Sequence, residues 1–366
     1  MKNRFAFPAA FLAVLPWMPL ASQGQIDQAQ TTSALQTRAA AQPQGLNESL
    51  TLDVVVTDKS GHPVSGLHSE DFKLLDNKQP QSLVSFQAAG GASTQADPPV
   101  EVILLFDAND TPPVVLDAAR AKLAAFFQAN GGVLALPTSF LFLTDHGTPL
   151  KNEPTRNGKT LLKILNDHTT GVSSVDHKIS QGFSGELERE QRSWSALHQL
   201  AFMESNRPGR KLLLWIGEGW PSFPEEDSFR SKKDDRALFS IIVSLSTELR
   251  EDRITLYSID PRGVSTESGN DFTYKNYLKG VSAPERVQYG DLDLQVLAIQ
   301  SGGKVLFGSN DLATLIDQCV ADASAYYVLS FKPAVAAHPD EYHDLSIQID
   351  KPGLKARTRT SYYAQP

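Results

Sequence analysis

Between residues 100 and 324, short apolar runs alternate with longer segments in which apolar residues recur at helical spacing. Runs of the first kind are typical of strands covered on both faces. They span residues 100–106, 139–144, 211–217, 253–259 and 303–307. The helical segments span residues 114–130, 193–205, 237–252, 291–303 and 311–325. The alternation predicts an α/β fold, a doubly wound and mostly parallel sheet with helices on both faces, and a short antiparallel edge strand at 149–154.

The two flanks of this region have the texture of antiparallel β-structure. Residues 50–87 contain short runs rich in β-branched residues between turn segments, and residues 325–366 contain further runs around a Lys-Pro-Gly turn. An isolated hairpin is only marginally stable in water, so each flank needs a partner sheet. We therefore predict that the flanks pair into one small β-domain, joined by a linker at 88–99 to an α/β domain at 100–324.

The first residues have the order of an export signal. Two basic residues, Lys2 and Arg4, precede a proline-interrupted apolar stretch that ends at Leu20, and small residues follow. A membrane anchor is the alternative, but the stretch is short for a span. We predict a signal peptide at 1–24 and a flexible Gln-rich spacer at 25–49. The expected location is periplasmic, cell-surface or extracellular, without membrane insertion after cleavage.

Charge and cysteine content exclude some partners and linkages. The 366-residue chain has a formal net charge of −8 and no dense stripe of lysine and arginine, whereas a nucleic-acid groove needs clustered positive charge. We therefore expect no nucleic-acid partner. Cys319 is the only cysteine, so the chain has no intramolecular disulfide and no candidate for lipid modification near the predicted cleavage site.

Several stretches carry a resemblance to a known family. They are LDVVVTDKSGHPVSGLHSEDFKLLDN at 52–77, GRKLLLWIGEGWP at 209–221, LAIQSGGKVLFGSNDLATLIDQCVADASAYYVLSFKP at 297–333, and PGLKARTRTSYY at 352–363. In order and spacing the chain resembles the von Willebrand factor A (VWA)-related domain family of the acidobacterial type, over nearly all of residues 50–364. The resemblance implies a VWA-like fold and a binding module rather than an enzyme. Ligands would approach the carboxyl ends of the parallel strands.

The resemblance also implies a possible metal site. Many VWA domains hold a metal ion with an Asp-x-Ser-x-Ser loop, a threonine and an aspartate from two further loops. Asp107, Asn109 and Thr111 match the loop positions, and each offers an oxygen of the kind that Mg²⁺ or Mn²⁺ binds. Thr155 matches the threonine, but Gly217 stands where the aspartate is expected. The motif is therefore degenerate, and the alternative is that its side chains only satisfy backbone groups and cap the next helix.

The sequence thus predicts an exported, non-catalytic protein-interaction module without a bound cofactor, Mg²⁺ or Mn²⁺ being the open alternative. The loops expected to form the contact face span residues 107–113, 144–157 and 217–224. Asp107 and Glu218 are expected to present charge to a protein partner, and Trp220 to supply apolar area.

Three alternatives stay open. The first is metal-dependent adhesion through the degenerate motif. The second is a secreted hydrolase that uses His146, His168 and His177 with their neighbouring aspartates, although their spacing matches no zinc pattern and no nucleophile motif is present. The third is a structural component of a cell-envelope assembly.

Overall fold

The computed structural model describes residues 49–90, 100–144, 152–167, 183–220, 230–264 and 273–366. The predicted signal peptide, nearly all of the spacer, most of the linker, and the three histidines of the hydrolase alternative lie outside these residues. The described strands are β1 Leu50–Thr57, β2 Phe72–Asp76, β3 Gln79–Gln81, β4 Leu83–Gly90, β5 Glu101–Asp107, β6 Val133–Leu143, β7 Thr155–Asn157, β8 Lys211–Ile216, β9 Ile254–Ile259, β10 Val305–Leu306, β11 Ala325–Phe331, β12 Glu341–Ile349, β13 Lys355–Arg357 and β14 Ser361–Ala364. Apart from short 3-10 turns, the described helices are α1 Pro113–Gln128, α2 Gly158–Asp167, α3 Phe183–Glu204, α4 Lys232–Glu251, α5 Leu294–Gln300 and α6 Leu312–Val320. None of these helices combines the length and the apolar character that a membrane span requires.

A six-stranded sheet forms the centre of the α/β region. Its order is β10-β9-β8-β5-β6-β7, and all neighbouring strands are parallel except β6 and β7. Every residue of β5 and of β8 is buried, as expected for strands covered on both faces. The prediction of a mixed α/β fold with a mostly parallel, helix-flanked sheet is confirmed, and the architecture is compatible with a VWA-like fold.

Alternate residues of each central strand enter one of two hydrophobic cores. Ile103 and Leu105 of β5 belong to a core shared with α3, α4 and α5. Val102 and Leu104 belong to a core shared with α1, α2 and α6. A fully buried leucine or isoleucine contributes about 1.5–3 kcal/mol of burial free energy, so these two cores fix the positions of the strand ends and of the loops that follow them.

The two flanks form two antiparallel, four-stranded sheets with the orders β13-β1-β11-β4 and β14-β12-β2-β3. Strand β11 lies between β1 and β4, and β12 pairs with β2, so each sheet combines strands from both ends of the described chain. A third core contains residues of both sheets, including Leu52, Leu74 and Tyr362. Val55 and Tyr326 instead enter a core of the α/β region. The sheet β13-β1-β11-β4 therefore packs on the second antiparallel sheet through one face and on the α/β region through the other.

Two helices differ from the sequence prediction. The sequence prediction does not include α2, although Leu161 and Leu165, four residues apart, form its fully buried face. Helix α3 begins at Phe183 rather than at residue 193. Its first turns are rich in charged residues. Part of their surface packs on the polar loop at 107–111 and not on an apolar core.

The strands differ from the prediction mainly at sheet edges. The antiparallel edge strand is Thr155–Asn157 rather than 149–154, and β4 extends to Gly90, three residues beyond the predicted end at residue 87. The carboxyl-terminal run at 354–364 is divided into β13 and β14, because β13 pairs with β1 in one sheet and β14 pairs with β12 in the other.

Candidate functional site

The site lies at the point where successive strands are added first to one side of β5 and then to the other. The chain passes from β5 to β6 on one side and later enters β8 on the other side of β5. The crevice beyond the carboxyl ends of β5 and β8 is therefore a topological switch point, where open α/β sheets commonly bind ligands. The structure brings Asp107, Asn109, Thr111 and Glu218 together at this carboxyl edge.

Asp107 is fully buried, and both of its carboxylate oxygens accept hydrogen bonds. Oδ1 accepts the backbone N–H groups of Asn109 (2.9 Å) and Asp110 (3.1 Å). Oδ2 accepts Nε1–H of Trp215 at 2.8 Å. Burial, followed by the charge of Asp110, raises the pKa of Asp107 to about 8, while the hydrogen bonds from Trp215 and the backbone oppose this shift. The carboxylate thus binds its own loop and an indole of β8.

Asn109 is also buried, and both ends of its amide have partners inside the protein. Its Nδ2 donates to Asp110 Oδ2 (2.8 Å), the Arg189 carbonyl oxygen (3.0 Å) and Ser193 Oγ (3.3 Å). Its Oδ1 accepts Nε–H of Arg192 at 2.9 Å. The guanidinium group of Arg192 therefore bonds to Asn109 Oδ1, the oxygen that would have to coordinate a metal ion.

Helix α3 supplies a second cation to the same loop. Arg189 Nε lies 3.3 Å from Asp110 Oδ1, and Ser193 Oγ donates to Asp110 Oδ2 at 3.0 Å. Burial raises the pKa of Asp110, and the hydrogen bonds from Ser193 and Asn109 and the charge of Arg189 oppose the shift.

Sequence reasoning missed this contribution of α3. Arg189, Arg192 and Ser193 occupy positions i, i+3 and i+4, which places them on one helical face. That spacing is visible in the sequence, but the charged composition of residues 186–194 favours an exposed helix start. Only the packing of α3 on the loop assigns these side chains to the site.

Gly217 lies against Asp107 without room for a side chain. A Cβ at this position would be 2.8 Å from Asp107 Cβ and 3.1 Å from Thr111 Oγ1, closer than packed side-chain atoms normally approach. Thr111 Oγ1 accepts the backbone N–H of Glu218 at 3.3 Å. The aspartate expected from the family motif therefore has no space in this arrangement, since Asp107 fills it.

Thr155 lies at the other end of the sheet from Asp107, which corrects its assignment to the same site. It pairs with Thr138, and Thr138 pairs with Val102 at the start of β5. Asp107 pairs with Leu143, five positions after Thr138 along β6. At a rise of roughly 3.3 Å per residue, about 16 Å separate the two ends. The distance arises because β7 pairs with the amino-terminal part of β6.

The residues at this edge do not fit a hydrated divalent cation. The oxygens of Asp107 and Asn109 already accept internal hydrogen bonds, Thr155 is distant, and a glycine takes the third-loop position. Within the described ranges, no group of three or more His, Cys, Asp or Glu side chains is arranged to hold a metal ion. This donor set favours a loop closed by internal hydrogen bonds over a Mg²⁺ or Mn²⁺ site.

Two of the three predicted partner-contact residues lie below the surface. Asp107 has 0% exposure and Trp220 has 5%. Trp220 packs edge-on against Trp215, with ring centroids 5.2 Å apart, so the core already uses its apolar area. Glu218 is the one that reaches solvent, with 24% of its side chain exposed and Oε2 3.9 Å from Arg262 Nη1. Burial raises the pKa of Glu218, and Arg262 opposes the shift.

The exposed part of the edge is apolar and charged. Val114, at the start of α1, is 76% exposed, and Val264, after β9, is 68% exposed. Pro112 and Pro113 beside Val114 are exposed as well, and Arg262 reaches solvent near Val264. The sequence does not mark Val114 as exposed, because it reads as the first apolar residue of an amphipathic helix. The loop parts at 145–151 and 221–224 lie outside the described residues.

Besides the exposed His62, whose Nδ1 lies 3.8 Å from Asp58 Oδ2, two histidines of the described chain pair closely with carboxylates. His198 Nδ1 lies 2.7 Å from Glu248 Oε2, and His343 Nδ1 lies 2.8 Å from Asp76 Oδ1. In the described segments, no serine or threonine hydroxyl is hydrogen-bonded to either ring. These two pairs therefore do not form the Ser-His-Asp arrangement that nucleophilic hydrolysis uses.

No protein-family model matches the sequence, and no curated protein matches it either. Among solved structures, the chain is similar to a crystal structure of the human COPII-coat protein Sec24c, with 8% sequence identity and a TM-score of 0.32. The similarity covers 74% of this chain and 44% of the Sec24c chain. At this TM-score it carries no argument about family or function, and the fold class rests on the strand order and helix placement.

Proposed function

We propose that this chain is a VWA-like, non-catalytic protein-interaction module that binds its partner at the carboxyl edge of the parallel sheet. The observation that carries the proposal is the exposure of Val114, at the start of α1, and of Val264, in the segment after β9, at that edge. The strands before these two residues, β5 and β9, are separated only by β8, so their axes are about 10 Å apart. Both valines can therefore contact one partner surface.

The surrounding charges define the chemistry of the partner. Arg262 pairs with Asp260 at 2.6 Å and lies 3.9 Å from Glu218, and all three side chains are partly exposed at this edge. An interface of this kind combines an apolar centre with polar groups that exclude water and select orientation. The partner we propose is a protein surface with an apolar side chain between the valines and a polar group that pairs with Glu218 or Arg262. Asp107 and Trp220 support this surface from below.

The proposed binding does not depend on a metal ion. Arg189, Arg192 and the indole of Trp215 hold the loop at 107–111 through direct hydrogen bonds and an ion pair. A loop fixed in this way needs little further ordering when a partner binds, which favours affinity. The degenerate motif is thus a structural element of the binding face.

We also propose that the protein is exported, which rests on the residue order at 1–24 alone. Amino-terminal sequencing of the protein from the cells that produce it should give a start between residues 22 and 25. A start at residue 1 would contradict export by a cleaved signal.

Paired surface variants test the binding face. Val114→Ser combined with Val264→Ser should lower the affinity for proteins that the wild type captures by at least about tenfold, because each valine buries apolar area worth about 1 kcal/mol or more. Quantitative co-purification from the producing cells, followed by binding measurements with the captured protein, gives the readout. Circular dichroism should show an unchanged fold, since both valines are exposed.

A matched variant controls for general loss of surface apolarity. Val84→Ser combined with Val335→Ser changes two valines of similar exposure, 65% and 69%, away from the carboxyl edge, and should leave binding unchanged. Equal binding by both double variants would contradict the proposed face.

Binding should be the same in EDTA and in millimolar Mg²⁺. Loss of binding in EDTA, together with loss in Asp107→Ala, would instead support metal-dependent adhesion.

A further inference from the structure

A small cavity of about 20 Å³ opens at the amino end of β9, on the sheet edge opposite to the proposed binding face. Three arginines line it: Arg250 near the end of α4, Arg253 before β9, and Arg359 between β13 and β14. The cavity therefore lies where the carboxyl-terminal strands pass over the α/β region.

Arg359 is buried, and the negative charges that act on it, those of Glu251 and of the cavity-lining Asp53, make no direct contact with it. It is 7% exposed, and its Nη1 donates to the carbonyl oxygens of Ser246 (3.2 Å) and Ser361 (3.4 Å). Within the described segments, no carboxylate forms an ion pair or hydrogen bond with it. Burial, followed by the charge of Arg250, lowers the pKa of Arg359 to about 9, which shows how unfavourable the charged form is in these surroundings.

The other two arginines have carboxylate partners. Arg253 makes two hydrogen bonds to Asp53, at 2.6 and 3.2 Å, and Arg250 Nη2 lies 2.9 Å from Glu251 Oε1. These pairs balance two of the three positive charges around the cavity. Arg359 has only the longer-range charges of Asp53 and Glu251 to oppose its own, and burying a charge without a directly bonded partner is unfavourable.

We propose that this cavity binds a small inorganic oxyanion of the phosphate or sulfate type, with Arg359 as its principal ligand. A guanidinium group presents a planar fork of N–H donors that matches two oxygens of such an anion. A cavity of this size accepts about one water-sized group, so one or two oxygens enter while the rest of the anion faces solvent. The bound anion would connect α4, the start of β9 and the segment between β13 and β14.

Thermal unfolding of the full chain tests the site directly. Sodium phosphate and sodium sulfate should each raise the unfolding temperature by a few degrees in a saturable manner, because a ligand that binds only the folded state stabilises it. Sodium chloride at matched ionic strength should not. Absence of a saturable difference from chloride would overturn the proposal, and so would a response to acetate alone.

Variants of Arg359 assign the effect to this cavity. Arg359→Gln should abolish the saturable shift, whereas Arg236→Gln, which removes an exposed arginine of α4, should retain it. If Arg359→Gln does not fold, Arg359→Lys decides, because lysine keeps the charge but loses the fork and should weaken phosphate binding about tenfold in calorimetric titration. A shift unchanged in a folded Arg359 variant would place the anion elsewhere and overturn the proposal.

Discussion

Glu190 carries a buried carboxyl group on α3. It directly follows Arg189, which pairs with Asp110 in the loop at the carboxyl edge. Its exposure is 0%, and neither carboxylate oxygen has a hydrogen-bond partner in the described part of the chain. An unpaired buried carboxylate is costly, so the neutral form is favoured. Burial raises the pKa of Glu190 to about 9, and the charges of Asp293 and Asp110 add to the increase.

This raised pKa predicts that Glu190 makes the protein less stable as the pH rises. The folded state keeps a proton that the unfolded state, with a pKa of 4.5, releases, so the free energy of unfolding falls between these two values. Glu190→Gln should remove this decrease. Relative to wild type, the variant should gain roughly 2–4 kcal/mol between about pH 5 and about pH 8 in urea denaturation.

The neighbouring Glu188 provides the control, because its side chain is 55% exposed on the same helix. Glu188→Gln should change the unfolding free energy by about 0.5 kcal/mol or less. Parallel pH profiles for wild type and Glu190→Gln would show that Glu190 is ionised in the folded protein, contrary to the prediction.

Strands β2, β12 and β14 are joined by buried side chains as well as by backbone hydrogen bonds. His343 Nδ1 lies 2.8 Å from Asp76 Oδ1, and the Tyr362 hydroxyl donates to Asp76 Oδ2 at 2.8 Å. The rings of His343 and Tyr362 stack with centroids 4.7 Å apart. The hydrogen bond to Asp76 raises the pKa of His343, and burial opposes the shift.

The network predicts a pH-dependent stability of this sheet. Protonated His343 paired with Asp76 contributes stability that is complete below the unfolded pKa of 6.5 and is lost as the pH rises through the higher folded pKa. Asp76→Asn should remove most of that decrease and should cost about 1–3 kcal/mol at about pH 6. Denaturation at about pH 6 and about pH 8 measures both effects.

Asp344→Asn is the matched control, since Asp344 is the exposed neighbour of His343 on β12. This variant should keep the pH dependence of the wild type. If Asp76→Asn also kept it, the pair between His343 and Asp76 would not be the source.

At the scale of elements, the sequence predicts best where burial is continuous. The run that forms β5 is buried at every residue, so its apolar pattern alone predicts a strand. The charged start of α3 contacts a polar loop, and no local pattern shows this. The run at 354–364 is divided between two sheets, because β13 pairs with β1 near the start of the described chain and β14 pairs with β12.

For the whole molecule, Asp322 joins the α/β region to the antiparallel sheets. Its buried carboxylate accepts the hydroxyl of Tyr257 in β9 (2.7 Å) and Nζ of Lys304 before β10 (3.0 Å), and it also bonds to Arg357 of β13. Its carbonyl oxygen accepts Nη1–H of Arg210 at 2.9 Å. Burial by itself raises the pKa of Asp322, but the charges of Arg357 and Lys304 hold it below the usual value.

Replacement of Asp322 should therefore weaken the whole structure. Asp322→Asn leaves Arg357 and Lys304 without their shared counter-charge and should lower the free energy of unfolding by about 3–5 kcal/mol near neutral pH. The lowered pKa means that the wild-type advantage exists above the unfolded pKa of 3.8 and is lost as the pH falls through the folded pKa. Chemical denaturation of both proteins measures the difference.

Asp317→Asn on α6 controls for the loss of one carboxylate, because Asp317 is exposed. It should change stability little. A similar small cost for both variants would show that the two regions do not depend on this ion-pair network.

The sequence by itself determined the class of each central strand and of the helices other than α2, and which strand faces are apolar. Those properties depend on local periodicity, and a buried strand or an amphipathic helix carries its own pattern. The sequence also placed Asp107, Asn109, Thr111 and Glu218 near one another, because residues that follow neighbouring parallel strands share one edge of the sheet.

Only the tertiary structure decided what those residues do. Trp215, Arg189 and Arg192 bond to the loop at 107–111, and Thr155 lies at the far end of the sheet. These relationships join positions dozens of residues apart along the chain. They depend on how α3 and β7 pack, and no local period encodes that packing. The same reason explains why the charged face of α3 becomes part of the site, while Trp220 becomes part of the core.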